Sequence, residues 1–172
     1  MKTLRTDRGF TLVELMVTVA IVALLLKFVG WGLAGVTEYE DVRMAARRLE
    51  TVIQEAKTLA YEKGAVYSLV FESKGYKLFR DDDGDDNKTE PDDGNCRRDN
   101  DNEPWIRSAE LSSRVSMILE SSLPKNSEGK VCLAFRSDGR LVKGSGGKVQ
   151  FIGTSGSQAT ATINAMGWVH VD

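Results

Sequence analysis

The stretch Arg8-Gly9-Phe10-Thr11-Leu12-Val13-Glu14-Leu15-Met16-Val17 decides how this chain is organised. It joins a basic leader, residues 1–9, to an apolar run that contains one acid, Glu14. A charged start followed by an apolar segment is typical of a secretory signal peptide, but no A-x-A-like cleavage site follows Leu26. A carboxylate inside a segment that contacts lipid is costly, so Glu14 is a candidate functional residue.

The apolar run from Phe10 to Val29 is interrupted by charge only at Glu14 and Lys27. Its length of about 20 residues is what a helix needs to cross the hydrocarbon core of a bilayer. Because basic residues precede the run, its start is expected in the cytoplasm and the rest of the chain on the opposite side. The sequence therefore predicts a membrane-spanning or filament-core helix at 10–29.

A second helical pattern follows within residues 30–64. Apolar and small residues recur at three- and four-residue steps from Val42 to Ala60, and charged residues occupy the other face. Gly64 is a natural stop for this amphipathic helix. The glycine-rich stretch 30–35, at the start of the segment, is expected to loosen the helix there. One long helix is thus predicted, with its second half packed on a globular head.

After Gly64 the pattern changes to short β-branched and aromatic runs separated by glycine-rich turns. Strands are predicted at 66–71, 76–79, 115–119, 131–135, 140–142, 149–152, 160–163 and 168–171. A helix followed only by strands predicts the α+β class, in which a long N-terminal helix packs on an antiparallel β-sheet head at 65–172.

The start of the chain resembles the class III leader of type IV prepilins and type II secretion pseudopilins. Gly9, Phe10 and Glu14 stand in the register of that motif. The resemblance implies that a prepilin peptidase cuts after Gly9 and that Phe10 is N-methylated. It also implies that Glu14 pairs with the N-terminus of a neighbouring subunit in a low-dielectric filament core. A plain N-terminal anchor is the alternative interpretation.

The head resembles the GspH/FimT group of pseudopilins and minor pilins. The matching segments are Ala-Lys-Thr-Leu-Ala at 56–60, Phe-Arg-Ser-Asp-Gly-Arg at 135–140 and Ile-Asn-Ala-Met-Gly-Trp-Val at 163–169. The resemblance implies a pilin-like fold and a structural subunit that is anchored in inner-membrane lipid, carries its head in the periplasm or outside the cell, and assembles with other pilins. A GspH-like pseudopilin of a type II secretion system is the first interpretation. A FimT-like minor pilin of a type IV pilus, acting in pilus assembly or DNA uptake, is the alternative.

DNA is not expected as a partner of this chain. Its formal net charge is −2, and the positions that match a basic Gly-Arg-Val-Arg-type tail of DNA-binding FimT-like pilins are Trp168 and His170. Without cations there, the counterion release that drives DNA binding is largely missing. The alternation of residues 168–171 instead predicts an edge strand that packs on the core.

The segment 81–103 is crowded with acids and predicts a long loop. Its run Asp-Asp-Asp-Gly-Asp-Asp-Asn at 81–87 offers the oxygen ligands that calcium prefers and a glycine for a tight turn, although the spacing is not that of an EF-hand. The candidate calcium ligands are Asp81, Asp83, Asp85 and Asn87. A solvated acidic loop without a metal is the alternative, and a loop of this length points to function or disorder.

The chain has two cysteines and one histidine, which argues against a Cys/His zinc site and leaves little for a histidine-based triad. Cys96 and Cys132 can pair if the head lies in an oxidising compartment, and two independent thiols are the alternative. The run Gly-Thr-Ser-Gly-Ser at 153–157 lacks the closing glycine of a G-x-S-x-G motif. We therefore expect no enzyme activity and, calcium apart, no cofactor.

Overall fold

The computed structural model describes residues 11–81, 96, 105–142 and 144–172, with the side chains of 28–36 left out. The chain divides into an N-terminal unit, Met1–Thr37, and a larger compact head, Glu38–Asp172. In the N-terminal unit, the described residues from Leu12 onward are helical. The head contains the remaining helical residues and all the described strands.

A single helix, α1, spans Leu12–Lys63, 52 residues. Thr11 caps its start, because its Oγ1 accepts a hydrogen bond from the Glu14 N–H at 3.2 Å. Gly64 follows its end with a φ of 65°, and its N–H donates to the Ala60 carbonyl at 3.0 Å. The helix runs through 30–35 without a break, so the expected loosening is not observed there. A glycine disfavours helix by about 1 kcal/mol, but its backbone can still adopt helical angles.

The periodic face of α1 that the sequence predicted is buried in the head. Its buried apolar side chains are Val42, Ala45, Ala46, Leu49, Val52, Ile53, Ala56 and Ala60. The spacing of three and four residues puts them on one side of the helix, while Arg43, Arg47 and Arg48 remain exposed on the other.

In the described part of the chain, eight strands follow α1: β1 Val66–Glu72, β2 Gly75–Asp81, β3 Trp105–Glu110, β4 Val115–Leu119, β5 Cys132–Phe135, β6 Gly146–Gly153, β7 Gln158–Asn164 and β8 Val169–Val171. They form two four-stranded sheets with the orders β3-β2-β1-β5 and β4-β6-β7-β8. Every neighbouring pair is antiparallel. The predicted α+β class is confirmed, and the strands are divided between two sheets.

Two local predictions differ from the structure. The sequence does not predict strand β3, because Trp105–Glu110 lacks the alternation of apolar and polar residues that is typical of a half-buried strand. In the structure, five of its six residues are exposed. Pairing with β2 makes it a strand, with a register shift between Leu78 and Phe79. Residues 140–142 were predicted as a strand, but Leu141 forms only an isolated bridge with Phe135 after the tight turn that precedes it.

The central strand β1 separates two clusters of buried side chains. Successive residues of a strand point to opposite faces, so Tyr67 and Leu69 join the large cluster that contains α1, and Val66 and Val70 join a smaller one. The smaller cluster is completed by Phe79, Cys96, Cys132 and Ala134. Both faces of β1 are therefore buried, which explains why apolar residues occur on both faces of this strand instead of alternating with polar ones.

Candidate functional site

The predicted assembly residues lie at the start of α1. Glu14 stands in the first turn, three residues after Thr11, with its side chain exposed. The large apolar side chains of residues 12–26 that surround it are each more than half exposed. A helix with apolar side chains on every side buries them only against lipid or other protein. Gly9 and Phe10 lie outside the described residues.

Over the part of the chain that the structure describes, no helix combines the length and the apolar character required for a membrane crossing. That statement does not cover the whole of the predicted anchor at 10–29, because Phe10 lies outside the described residues and the side chains of residues 28 and 29 are not described. The anchor stays a prediction.

Glu38 is the first residue of the head, and its carboxylate holds the turn between β6 and β7. Its Oε2 accepts a hydrogen bond from the Thr154 Oγ1 at 2.8 Å. Its Oε1 accepts bonds from the Ser155 N–H at 2.7 Å, the Ser155 Oγ at 2.6 Å and the Ser157 Oγ at 3.1 Å. Gly153 leaves room for this arrangement, since a Cβ there would lie 2.2 Å from Glu38 Oε1.

The electrostatic consequence is a carboxylate that stays ionised. Hydrogen bonds from Ser155, both side chain and backbone, and from Thr154 stabilise the charged form and lower the pKa of Glu38 to about 2. The sequence offered only a weak signal for this contact. In the sequence, the hydroxyl-rich turn at 153–157 shows only an incomplete G-x-S-x-G motif, whereas in the structure it donates hydrogen bonds to a glutamate of α1.

Lys57 makes a second set of contacts between α1 and the C-terminal part of the chain. Its Nζ donates to the carbonyls of Met166 and Gly167, each at 3.2 Å, and lies 4.3 Å from the centroid of the Trp168 ring. Burial lowers the pKa of Lys57. The side chain of Trp168 is thereby held against α1, and β8 follows it at the edge of its sheet, as the alternation predicted.

The three sequence segments that carry the resemblance meet at this point. Lys57 belongs to 56–60, and a Cβ on Gly139 would lie 3.3 Å from its Cε. Gly167, with a φ of 68°, is packed so that a Cβ would lie 3.0 Å from both the Gly139 carbonyl oxygen and the Phe135 ring. Gly139 and Gly167 both have a positive φ, which favours glycine, and Gly167 is in addition closely packed against the 135–140 turn.

Two residues of the acidic segment are anchored to the sheet. Asp81 is buried, and its Oδ2 accepts hydrogen bonds from the Ser68 Oγ at 2.5 Å and the Cys96 N–H at 2.9 Å. Cys96 forms a disulfide with Cys132, with the two Cα atoms 6.2 Å apart, and its carbonyl accepts a bond from the Asn126 Nδ2 at 3.1 Å. These contacts fix residue 96 on the smaller core cluster.

The calcium prediction falls mostly on residues outside this description. Asp83, Asp85 and Asn87 are not among the described residues, and Asp81 already uses one carboxylate oxygen for two hydrogen bonds. Within the ranges that the structure covers, no three Asp, Glu, His or Cys side chains are grouped for a metal. Calcium binding stays a prediction.

A long N-terminal helix followed by an antiparallel β-sheet head defines a pilin-like structural subunit, and comparison with known families agrees. The model of the prokaryotic N-terminal methylation motif matches residues 4–26. The model of the type II transport protein GspH matches residues 45–167, most of the chain. The chain therefore belongs to the GspH family of minor pilin-like and pseudopilin-like subunits. No individual curated protein matches it significantly.

Two solved structures share the fold. The minor pseudopilin EpsH from the type 2 secretion system of Vibrio cholerae has a TM-score of 0.52 and 9% sequence identity, over 77% of this chain and 96% of that one. The type IV minor pilin FimU of Pseudomonas aeruginosa PAO1 has a TM-score of 0.50 and 16% identity, over 79% of this chain and 91% of that one. At these identities the likeness concerns the fold alone.

Proposed function

We propose that this chain is a minor subunit of a type II secretion pseudopilus and that it enters the filament through the first half of α1. The observation that carries the proposal is the exposed apolar surface of residues 12–26, with Glu14 in its first turn. Such a surface is stable in lipid before assembly and against neighbouring helices after it. Inner-membrane lipid and other pseudopilins are thus the proposed partners, with the head in the periplasm.

Processing is the first step of this proposal. A prepilin peptidase cuts between Gly9 and Phe10, and the new N-terminus of Phe10 is methylated; the match of the methylation motif to residues 4–26 supports this step. The intact mass of the membrane-extracted protein, made with and without the peptidase, tests it. We expect a product that begins at methylated Phe10, while retention of residues 1–9 in the presence of the peptidase would contradict the proposal.

Assembly is proposed to depend on the charge of Glu14. In a filament core, its carboxylate would neutralise the N-terminal amine of a neighbouring subunit, and removing one member of a buried pair costs about 3–5 kcal/mol. Glu14→Ala should therefore reduce crosslinking into the filament while leaving the melting temperature of the head unchanged. Glu40→Ala is the matched control, because Glu40 is an exposed acid on the same helix. Equal incorporation of both variants would refute the pairing role.

A minor pilin of a type IV pilus is the second candidate, because the fold is shared with FimU as well as with EpsH. The GspH family match supports the secretion system instead. A strain in which the gene is deleted distinguishes the two functions, and the same strain complemented with the wild-type gene is the control. We expect the deletion to stop export of secreted proteins and to leave pili intact, and loss of pili or of DNA uptake with normal secretion would favour the second candidate.

A further inference from the structure

We propose that the outer edge of β8 and the arginines of α1 beside it form a docking groove for an extended acidic segment of a neighbouring filament subunit. The groove is defined by Arg43 and Arg47 of α1 and by Val169, Val171 and Asp172 at the end of the chain. The identity of the partner as a filament subunit rests on the proposed function. The groove itself rests on backbone geometry, charge and shape.

The backbone of β8 offers an open hydrogen-bonding edge. β8 is the last strand of its sheet, and Thr160 and Asp172 exchange both of their backbone hydrogen bonds, at 3.1 and 3.0 Å. In an antiparallel pair, hydrogen-bonded residues alternate with residues whose N–H and C=O point away from the partner strand. The register Ala161↔Val171 and Ile163↔Val169 therefore turns the N–H and C=O groups of Val169 and Val171 outward. Among the described residues no strand pairs with them.

A positive surface lies beside this edge. Arg43 and Arg47 are exposed, and neither has a carboxylate partner within 4 Å among the residues that the structure describes. A cleft of about 130 Å³ separates them from the sheet, lined by Tyr39, Arg43 and Arg47 on one side and by Ala159, Val171 and Asp172 on the other. Asp172 adds one negative charge to the cleft, and its Oδ1 lies 2.9 Å from the His170 Nε2.

The spacing of these groups fits a β-strand. Residues Arg43 and Arg47 are four apart on a helix, which is about 6 Å along its axis. Alternate residues of a strand are about 6.6 Å apart and face the same side. The side chains of Val169 and Val171 pack on the cluster that contains α1, so alternate residues of an added strand would face α1 as well. Two successive acidic side chains on that face can each meet one arginine.

These features favour a peptide over a nucleic acid. Outward N–H and C=O groups alternate along β8 and match the backbone of another strand, whereas a phosphate backbone offers acceptors without donors. The chain as a whole carries a net charge of −2, which opposes duplex DNA. An acidic segment in extended conformation satisfies both the strand edge and the arginines.

The test uses the full-length protein in detergent and two labelled peptides, an acetylated (Glu-Val)₄ and a (Lys-Val)₄ control. We expect salt-sensitive binding of the acidic peptide and slower hydrogen exchange at the amides of Val169 and Val171. The double variant Arg43→Glu/Arg47→Glu should weaken binding at least tenfold, while the control Arg136→Glu/Arg140→Glu, on a different turn, should not. Val171→Pro removes one outward N–H that makes no bond within the sheet, and Val171→Ala loses valine packing on the core but keeps that N–H, so the proline variant should weaken binding by more than the alanine variant.

Several results would overturn the proposal. They are equal binding of both peptides, tighter binding of duplex DNA than of the acidic peptide, exchange protection away from β8, or full binding by the Arg43→Glu/Arg47→Glu variant. Glu14→Ala should retain peptide binding, because Glu14 lies outside the head. Failure of the assembly proposal is therefore distinguishable from failure of the docking groove.

Discussion

Replacing Cys96 and Cys132 together by alanine should lower the free energy of unfolding of the head by about 4 kcal/mol. The disulfide joins residues with a sequence separation of 36. In the chain-entropy model, the unfolded chain loses about 13 cal/mol/K when a loop of that length is closed, which gives about 4 kcal/mol at 25 °C. At roughly 3 °C per kcal/mol for a domain of this size, the melting temperature should fall by about 12 °C.

Urea denaturation of the oxidised wild type, the reduced wild type and the double alanine variant measures this effect. The reduced wild type is the matched control, because it keeps both sulfur atoms in the buried cluster and loses only the bond. We expect the reduced protein and the variant to be destabilised by similar amounts. A loss below about 1 kcal/mol in the reduced protein would refute the loop-closure argument. It would mean that the reduced unfolded chain already keeps residues 96 and 132 close together, so that the bond removes little further entropy from it.

Three further predictions concern the contacts of α1 in the head. Because the pKa of Glu38 is lowered to about 2, its contribution is fully present above the unfolded pKa of about 4.3 and is lost as the pH falls towards 2. Thermal melts from pH 2 to 7 should show that Glu38→Gln is less stable than the wild type near neutrality, with the difference shrinking in acid; a constant difference would contradict this. Gly153→Ala should lose the same pH-dependent stability, since its Cβ would displace the carboxylate, whereas Gly156→Ala in the same turn, at a φ of 91°, should show a pH-independent loss in the same melts. Leu49→Ala should destabilise the head by about 3 kcal/mol in urea denaturation, because Leu49 is completely buried, and a loss below about 1 kcal/mol would show that the site collapses around the smaller side chain.

Local patterns predicted much of the fold, and the exceptions have physical causes. The burial of α1 followed from a periodicity that is present within the helix itself. Strand β3 carried no such pattern, since it is fixed by its pairing with β2 and by the ion pair in which Arg107 Nε lies 2.6 Å from Glu55 Oε2. These partners come from other parts of the chain, so residues 105–110 alone could not indicate a strand.

The candidate sites also differ in whether they depend on neighbouring or on distant residues of the sequence. The register of Gly9, Phe10 and Glu14 is a linear motif, and the sequence alone pointed to a processed subunit of a pilin-like filament. Glu38 could not be recognised from the sequence, because its partners Thr154 and Ser155 are more than a hundred positions away.

By itself, the sequence determined the N-terminal motif, the long amphipathic helix and most of the strands, because each depends on residues that are close together along the chain. Only the tertiary structure decided that the strands form two sheets, that Cys96 and Cys132 are joined, and that the edge of β8 lies near Arg43 and Arg47. These features depend on which distant segments pack together. Local periodicity specifies which face of an element is buried, but it does not specify which other element packs against that face. That pairing is determined by the packing of the whole head.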